Sequence, residues 1–172
     1  TEHELLTQPA GLEATDAVLF VRSHPLGAGD YSPPRPSSRI RSLGSDLLAD
    51  VTPTLPAFDV LITDYSSLVF DSALIPLPVL YFAPDEVRYG AERGFYGRYR
   101  DVAGDDVAAD WSTVVEQLEA VLEDESERAR RVARAAALSA SVHAYRDGRN
   151  AERVYRAIRR ALASHRRPRG TE

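Results

Sequence analysis

Residues 59–71 read Asp-Val-Leu-Ile-Thr-Asp-Tyr-Ser-Ser-Leu-Val-Phe-Asp. Val60, Leu61 and Ile62 form an apolar run of strand-forming residues, and Thr63, Asp64 and Tyr65 make a polar turn behind it. Ser66 and Ser67 then open a helix predicted to run to Leu74. A strand that enters a helix through a hydroxyl-rich turn points unpaired backbone N–H groups over the carboxyl edge of a sheet, where a phosphate can be held. The turn has neither Gly-x-Gly-x-x-Gly nor Gly-Lys-Ser/Thr, so it is not a dinucleotide fingerprint or a Walker loop. An anion here would be gripped by serine hydroxyls and the helix N-terminus.

The same grammar extends both ways. Downstream, Pro78–Phe82 reads as a second buried strand closed by Pro84. Asp85–Arg93 reads as a short helix capped by Asp85, and Gly94–Tyr99 as an aromatic turn. Upstream, Ala17–Val21 is a short strand followed by Arg22, Ser23, His24 and Pro25, so His24 falls at a strand's carboxyl end. Gly27–Ser38 reads as a surface loop, Ile40–Leu43 as a short strand, and Thr52-Pro53 as the start of a short helix with Thr52 as its cap. From Trp111 the pattern turns helical: Trp111, Val114, Val115, Leu118, Val121 and Leu122 form one stripe. Glu123–Glu127 is an acidic break, and Ala129–Ala140 a second helical run. After a turn at Asp147-Gly148, Ala151–Ala163 is predicted as a last helix with Val154, Tyr155, Ile158 and Leu162 facing inward. Strands alternating with helices, followed by helices alone, give an α/β fold with a mainly parallel sheet and a helical carboxyl-terminal third. The domain is placed at 17–164, with an upstream segment at 1–16 and a charged, fraying tail at 165–172.

Composition narrows the function. The 172 residues suffice for one domain with a real core. A net charge of −5 argues against a general nucleic-acid binder. The chain has no cysteine, and its 4 histidines include no His-x-x-x-His pair, which leaves no thiolate metal site and no structural zinc motif. No apolar run approaches the ~20 residues of a membrane-spanning helix. All 21 basic residues are arginine, and methionine is absent, so an excised domain or processed product is expected. Thr1–Leu12 carries no signal-peptide pattern, which makes the cytoplasm the default compartment.

Leu61–Ser67, Phe70-Asp71, Pro78–Phe82 and Arg93-Gly94-Phe95-Tyr96, preceded by Val21-Arg22-Ser23-His24-Pro25, resemble the CDP-glycerol glycerophosphotransferases, which include the teichoic acid polymerases and primases. The blocks occur in the family's order, cover residues 17–100, and are joined by a fitting Asp147-Gly148 region and final helix. The resemblance implies a GT-B-type transferase with two Rossmann-like domains, of which this chain is the carboxyl-terminal, donor-binding one. The acceptor-side domain, with the family's catalytic-base histidine, would lie upstream, so the fragment alone is expected to be inactive. The implied reaction is transfer of glycerol phosphate, or another alditol phosphate, from a CDP-activated donor to a cell-wall polymer or lipid-linked acceptor, with release of CMP. No cofactor and no metal are expected. The implied place is the cytoplasmic face of the cell membrane, peripherally bound. A homo-oligomer is left open, and a nucleic-acid partner is not expected.

Carried onto this chain, the resemblance gives donor-binding roles to Arg22, Ser23, His24, Ser66, Ser67, Asp71 and Arg93, with His24 also catalytic. Each has a plainer reading. Ser66 and Ser67 can simply cap their helix. Asp71, one turn past Ser67, can be a surface carboxylate. His24 can be structural, and Arg93 can pair with Glu86 or Glu92. Arg22 and Ser23 would contribute backbone rather than side-chain contacts. Asp64 is assigned to the turn, because a carboxylate beside a pyrophosphate repels it. The arginine-rich carboxyl third reads as a solvated face balanced by glutamates or, less favoured, as a basic surface for anionic lipid. Two other functions remain open: a UDP-sugar transferase on the same fold, and a non-catalytic nucleotide-binding module.

Overall fold

The computed structural model describes residues 12–13, 15–22, 37–75 and 77–165. Its elements follow the predicted order, with one short helix, at Tyr99–Ala103, that the sequence reading does not place. Strand β1 is Leu19–Val21 and β2 is Ile40–Ser42. A 3-10 helix spans Thr52–Ala57, and β3 is Leu61–Thr63. Helix α1 is Leu68–Ser72, followed by β4, Val79–Tyr81. Then come α2 (Glu86–Glu92), α3 (Tyr99–Ala103), α4 (Trp111–Glu123), α5 (Glu125–Val142) and α6 (Asn150–His165). The predicted loop at 27–38 lies outside the described residues except for its last two, as do residues 1–11, Ser23, His24 and the tail from 166 on.

The strands pair in parallel, as predicted, but among the described residues they form two pairs, β1–β2 and β3–β4. Both are covered by α4. Leu19, Val21 and Ile40 from the first pair join Val60, Ile62, Leu80 and Phe82 from the second around Trp111, Val114, Leu118 and Val121. The opposite face of β3–β4 is also covered. Leu61, Val79 and Tyr81 pack with Val69 and Phe70 of α1, Tyr99, Val102 and Ala103 of α3, and Leu138 of α5. Cover on both faces explains why these strands are unbroken apolar runs rather than alternating ones.

Helix boundaries follow local chemistry. Asp110 caps α4, its carboxylate accepting from the Thr113 amide at 2.8 Å. Asp124, in extended conformation between α4 and α5, accepts from the Ser126 amide at 2.8 Å and hydroxyl at 2.6 Å. One residue thus ends one helix and starts the next, narrowing the predicted break at 123–127. Three local expectations are corrected. Thr52 is not a cap: its own amide donates to Asp50 Oδ1 at 2.9 Å, and Pro53 and Pro56 keep the segment a 3-10 helix. Asp85 stands at the N-cap position of α2 without capping it, because its carboxylate is bound elsewhere. The apolar residues of α6 do not face inward: Val154, Tyr155, Ile158 and Leu162 are 53–60% exposed. Their spacing places them on one face, but spacing carries no information about what that face meets.

Residues up to Ser139 form one compact unit and those from Ala140 a second. In the first, a polar network joins α5 to the loop before α4. Asp106 receives Arg130 at 2.6 Å, Arg131 at 3.1 Å and also Arg134, while Glu127 receives Arg130 and Arg131, each at 2.7 Å. Arg131 is buried and also donates to the Val79 carbonyl of β4 at 3.2 Å. Burial works against the charge on Asp106, but hydrogen bonds from Arg130 and Arg134 and the charge of Arg131 outweigh it. Its carboxyl is held well below the usual carboxylate range.

Candidate functional site

Strands β3 and β4 run parallel in the register Leu61↔Val79 to Thr63↔Tyr81, so residues 64–67 and 82–85 emerge from the same edge. Here the turn is held open to solvent. Asp64 Oδ1 accepts from the Ser66 amide at 3.1 Å, the structural role read for it from sequence. Ser66 Oγ accepts from the Leu68 amide at 3.2 Å. Ser67 occupies the N-cap position of α1 with no side-chain capping bond, and both serines are exposed. The two readings of the serine pair therefore divide between them. Ser66 satisfies the start of its helix, while Ser67 has a hydroxyl and amide without a hydrogen-bond partner among the described residues.

Asp71 is exposed on α1, one turn past Ser67. Arg93, just past α2, is exposed, and its guanidinium makes no ion pair among the described residues. Glu86, one of its expected partners, is bound by Arg100 at 2.6 Å. The Arg93 segment reaches the serine turn through aromatic packing: the Arg93 amide donates to the Tyr89 carbonyl, and the Tyr89 ring stacks on Tyr65 with centroids 3.9 Å apart. Arg22 directs its guanidinium at the carbonyls of Leu43 (3.0 Å), Leu48 (2.7 Å) and Ala49 (3.1 Å). The guanidinium is thus tied to backbone carbonyls of the segment after β2. Ser23 and His24 lie outside the described residues.

Sequence reasoning missed the aromatic cluster beneath this turn. Tyr65 packs against Tyr99 at 5.1 Å and Phe95 at 5.7 Å in addition to Tyr89, and Tyr99 also meets Tyr81 at 6.3 Å. The Tyr65 hydroxyl donates to Asp85 Oδ1 at 2.9 Å, and the Tyr99 hydroxyl to the Asp64 carbonyl at 3.1 Å. Burial, and then the bond to Asp85, raise the Tyr65 phenol above its ordinary value; burial does the same for Tyr99 and pushes Tyr81 up to about 12. All three stay protonated through the physiological range, so Tyr65 and Tyr99 remain donors. Asp85 is held below the usual carboxylate range by Arg88 and by Tyr65. A signal was available: the aromatic turn at 94–99 was visible, but nothing local showed that it docks under residue 65.

An open hydroxyl turn at a sheet edge, with an exposed carboxylate one turn along the same helix, has the groups to meet a ligand that carries both phosphate and hydroxyl groups. Among the described residues no group of three or more His, Asp or Glu side chains is placed to hold a metal ion, and no helix is long and apolar enough to cross a membrane.

The chain is 26% identical over 160 residues to the teichoic acid ribitol-phosphate primase of Bacillus spizizenii, covering 90% of this chain and 37% of that protein. It is 32% identical over 113 residues to the teichoic acid glycerol-phosphate primase of the same organism, covering 64% and 29%. Its fold matches the wall teichoic acid polymerase TagF with a TM-score of 0.65 at 20% identity, over 96% of this chain and 39% of that one. This likeness supports the GT-B-type α/β class read from sequence. The chain thus spans little more than a third, at most, of the proteins it matches. The family model described as CDP-Glycerol:Poly(glycerophosphate) glycerophosphotransferase matches residues 6–160, and the chain belongs to that family.

Proposed function

We propose that this chain is the donor-binding part of a transferase that moves an alditol phosphate from a CDP-activated donor to a teichoic acid-type acceptor. The acceptor hydroxyl oxygen attacks the phosphorus bearing the alditol, the bond from that phosphorus to the bridging oxygen breaks, and CMP leaves with that oxygen. The hydroxyl proton passes to a base, which the family resemblance places upstream of this chain. Negative charge builds on the bridging and non-bridging oxygens, so donors must be aimed there in advance. In this reading the Ser67 hydroxyl and amide, His24 and Arg93 supply them without a metal ion or cofactor. Asp71 accepts from a hydroxyl of the donor's ribose or alditol.

The observation that carries the reading is the solvent-facing Ser67 at the start of α1, whose hydroxyl and amide have no hydrogen-bond partner among the described residues, inside a segment matched by the family. Glycerol and ribitol donors both have support, since one relative is a glycerol-phosphate primase and the other a ribitol-phosphate primase. The acceptor is proposed to be lipid-linked, which puts the full-length enzyme at the cytoplasmic membrane face. Calorimetric titration of CDP-glycerol and CDP-ribitol into the chain tests the donor assignment. One of them should bind, and Ser67→Ala and His24→Ala should each weaken it about tenfold. Affinity untouched by both substitutions overturns the site. Preferential binding of a UDP-sugar moves the protein to another transferase class, and full-length protein that releases no CMP with a lipid-linked acceptor is a binding module.

A further inference from the structure

The side-chain bonds that shape the serine turn are local to it. Asp64 to Ser66 and Ser66 to Leu68 are local bonds within five residues, and both are exposed. They set the turn's curvature and would survive if it moved as a body. The Ser66 and Ser67 carbonyls accept from the Val69 and Phe70 amides of α1, and two hydroxyls tie the turn to more distant elements: Tyr65 to Asp85 at the start of α2, and Tyr99 of α3 to the Asp64 carbonyl. We propose that Tyr65 and Tyr99, with Asp85 as anchor, are positioning residues that hold the Ser67 amide and the hydroxyls of Ser66 and Ser67 in register for a donor's pyrophosphate. This rests on the donor-binding reading above.

Three observations support a dedicated anchor. First, Asp85 stands where a helix cap is expected, yet leaves its own helix uncapped and gives one oxygen to Tyr65 (2.9 Å) and the other to Arg88 (2.9 Å). Asp85 therefore holds the turn to α2 rather than starting that helix. Second, the Tyr65 ring is oriented by its stack on Tyr89 at 3.9 Å and 22°, so its hydroxyl is aimed before any ligand arrives. Third, the anchor is electrostatically quiet. Arg88 and the phenol share the Asp85 charge, so a carboxylate on the same sheet edge repels an incoming anion less than a bare one would. Small displacements of binding groups cost large factors in transfer reactions, which gives the positioning a function beyond packing.

Tyr65→Phe removes the hydroxyl and keeps the ring. In the full-length enzyme it should raise the donor KM about tenfold while leaving the acceptor KM within about twofold. Asp85→Ala should match it, Asp85→Asn should stay within about twofold of wild type because an amide oxygen still accepts, and Tyr65→Phe with Asp85→Ala should be no worse than either alone. An unchanged donor KM, or donor and acceptor KM rising together, overturns the proposal. A second measurement does not depend on the donor. Backbone amide order parameters should fall at residues 64–67 in Tyr65→Phe and Tyr99→Phe but not in α4, and unchanged values at the turn also overturn it. Wild-type protein that binds no CDP-alditol, with this pattern present in the two variants, refutes the donor reading while keeping the two tyrosines as the turn's anchors.

Discussion

Helices α4 and α6 carry apolar stripes of the same sequence type. On α4, Trp111, Val114, Leu118 and Val121 are each at most 8% exposed and cover two pairs of strands. On α6, Val154, Tyr155, Ile158 and Leu162 are each at least 53% exposed. The arginines of the two regions differ in the same way. Arg130, Arg131 and Arg134 of α5 converge on Asp106, and Arg131 is buried; on α6, Arg156 pairs with Glu152 of its own helix at 2.5 Å and Arg153 with Asp147 of the preceding turn at 2.6 Å. Periodicity thus identifies which residues share a face. Whether that face is a core depends on strands that lie far away in sequence.

Substitutions can sharpen or break this contrast. Leu80→Ala, at a fully buried site beneath α4, should cost about 3 kcal/mol of unfolding free energy in urea titration. Asp106→Asn should cost on the order of 2 kcal/mol at neutral pH, because it leaves buried Arg131 with one acid partner fewer. This loss has a defined pH dependence. The Asp106 carboxyl is depressed in the folded state, so its stabilisation is complete above the unfolded value of about 3.9 and fades as pH falls from there through the folded value. Denaturation midpoints of wild type and Asp106→Asn should therefore converge in acid, and parallel curves would remove the network from the account. Ile158→Ser and Arg156→Ala on α6 should each change stability by less than about 0.5 kcal/mol. A loss at Ile158 as large as that at Leu80 would show that the α6 stripe is covered in solution and end the contrast.

The β3–turn–α1 segment was legible because every level agreed there: an apolar run, a polar turn and a serine start with a proline boundary beyond. The parallel pairing and the role of Asp64 followed from the same residues. What stayed hidden depends on partners distant in sequence. Asp106 meets Arg130 and Arg134 across 24 and 28 residues, and no local pattern encodes such a meeting. Asp85 was read as a cap from its position, whereas a tyrosine 20 residues earlier determines where its carboxylate goes. Among the site residues, Ser67, Asp71 and Arg93 are exposed in the structure, while the Arg22 side chain is engaged with backbone carbonyls.

The pairing of β3 with β4 has one more consequence. Each strand is three residues long, so few ladder bonds resist sliding. Alternate side chains serve two separate apolar clusters, Ile62 and Leu80 on one side and Leu61, Val79 and Tyr81 on the other. Sliding one strand by a single step would send each side chain into the wrong cluster, tearing both at once. Alignment at the carboxyl edge is thus proofread by the hydrophobic interior, and the turns above it inherit that accuracy.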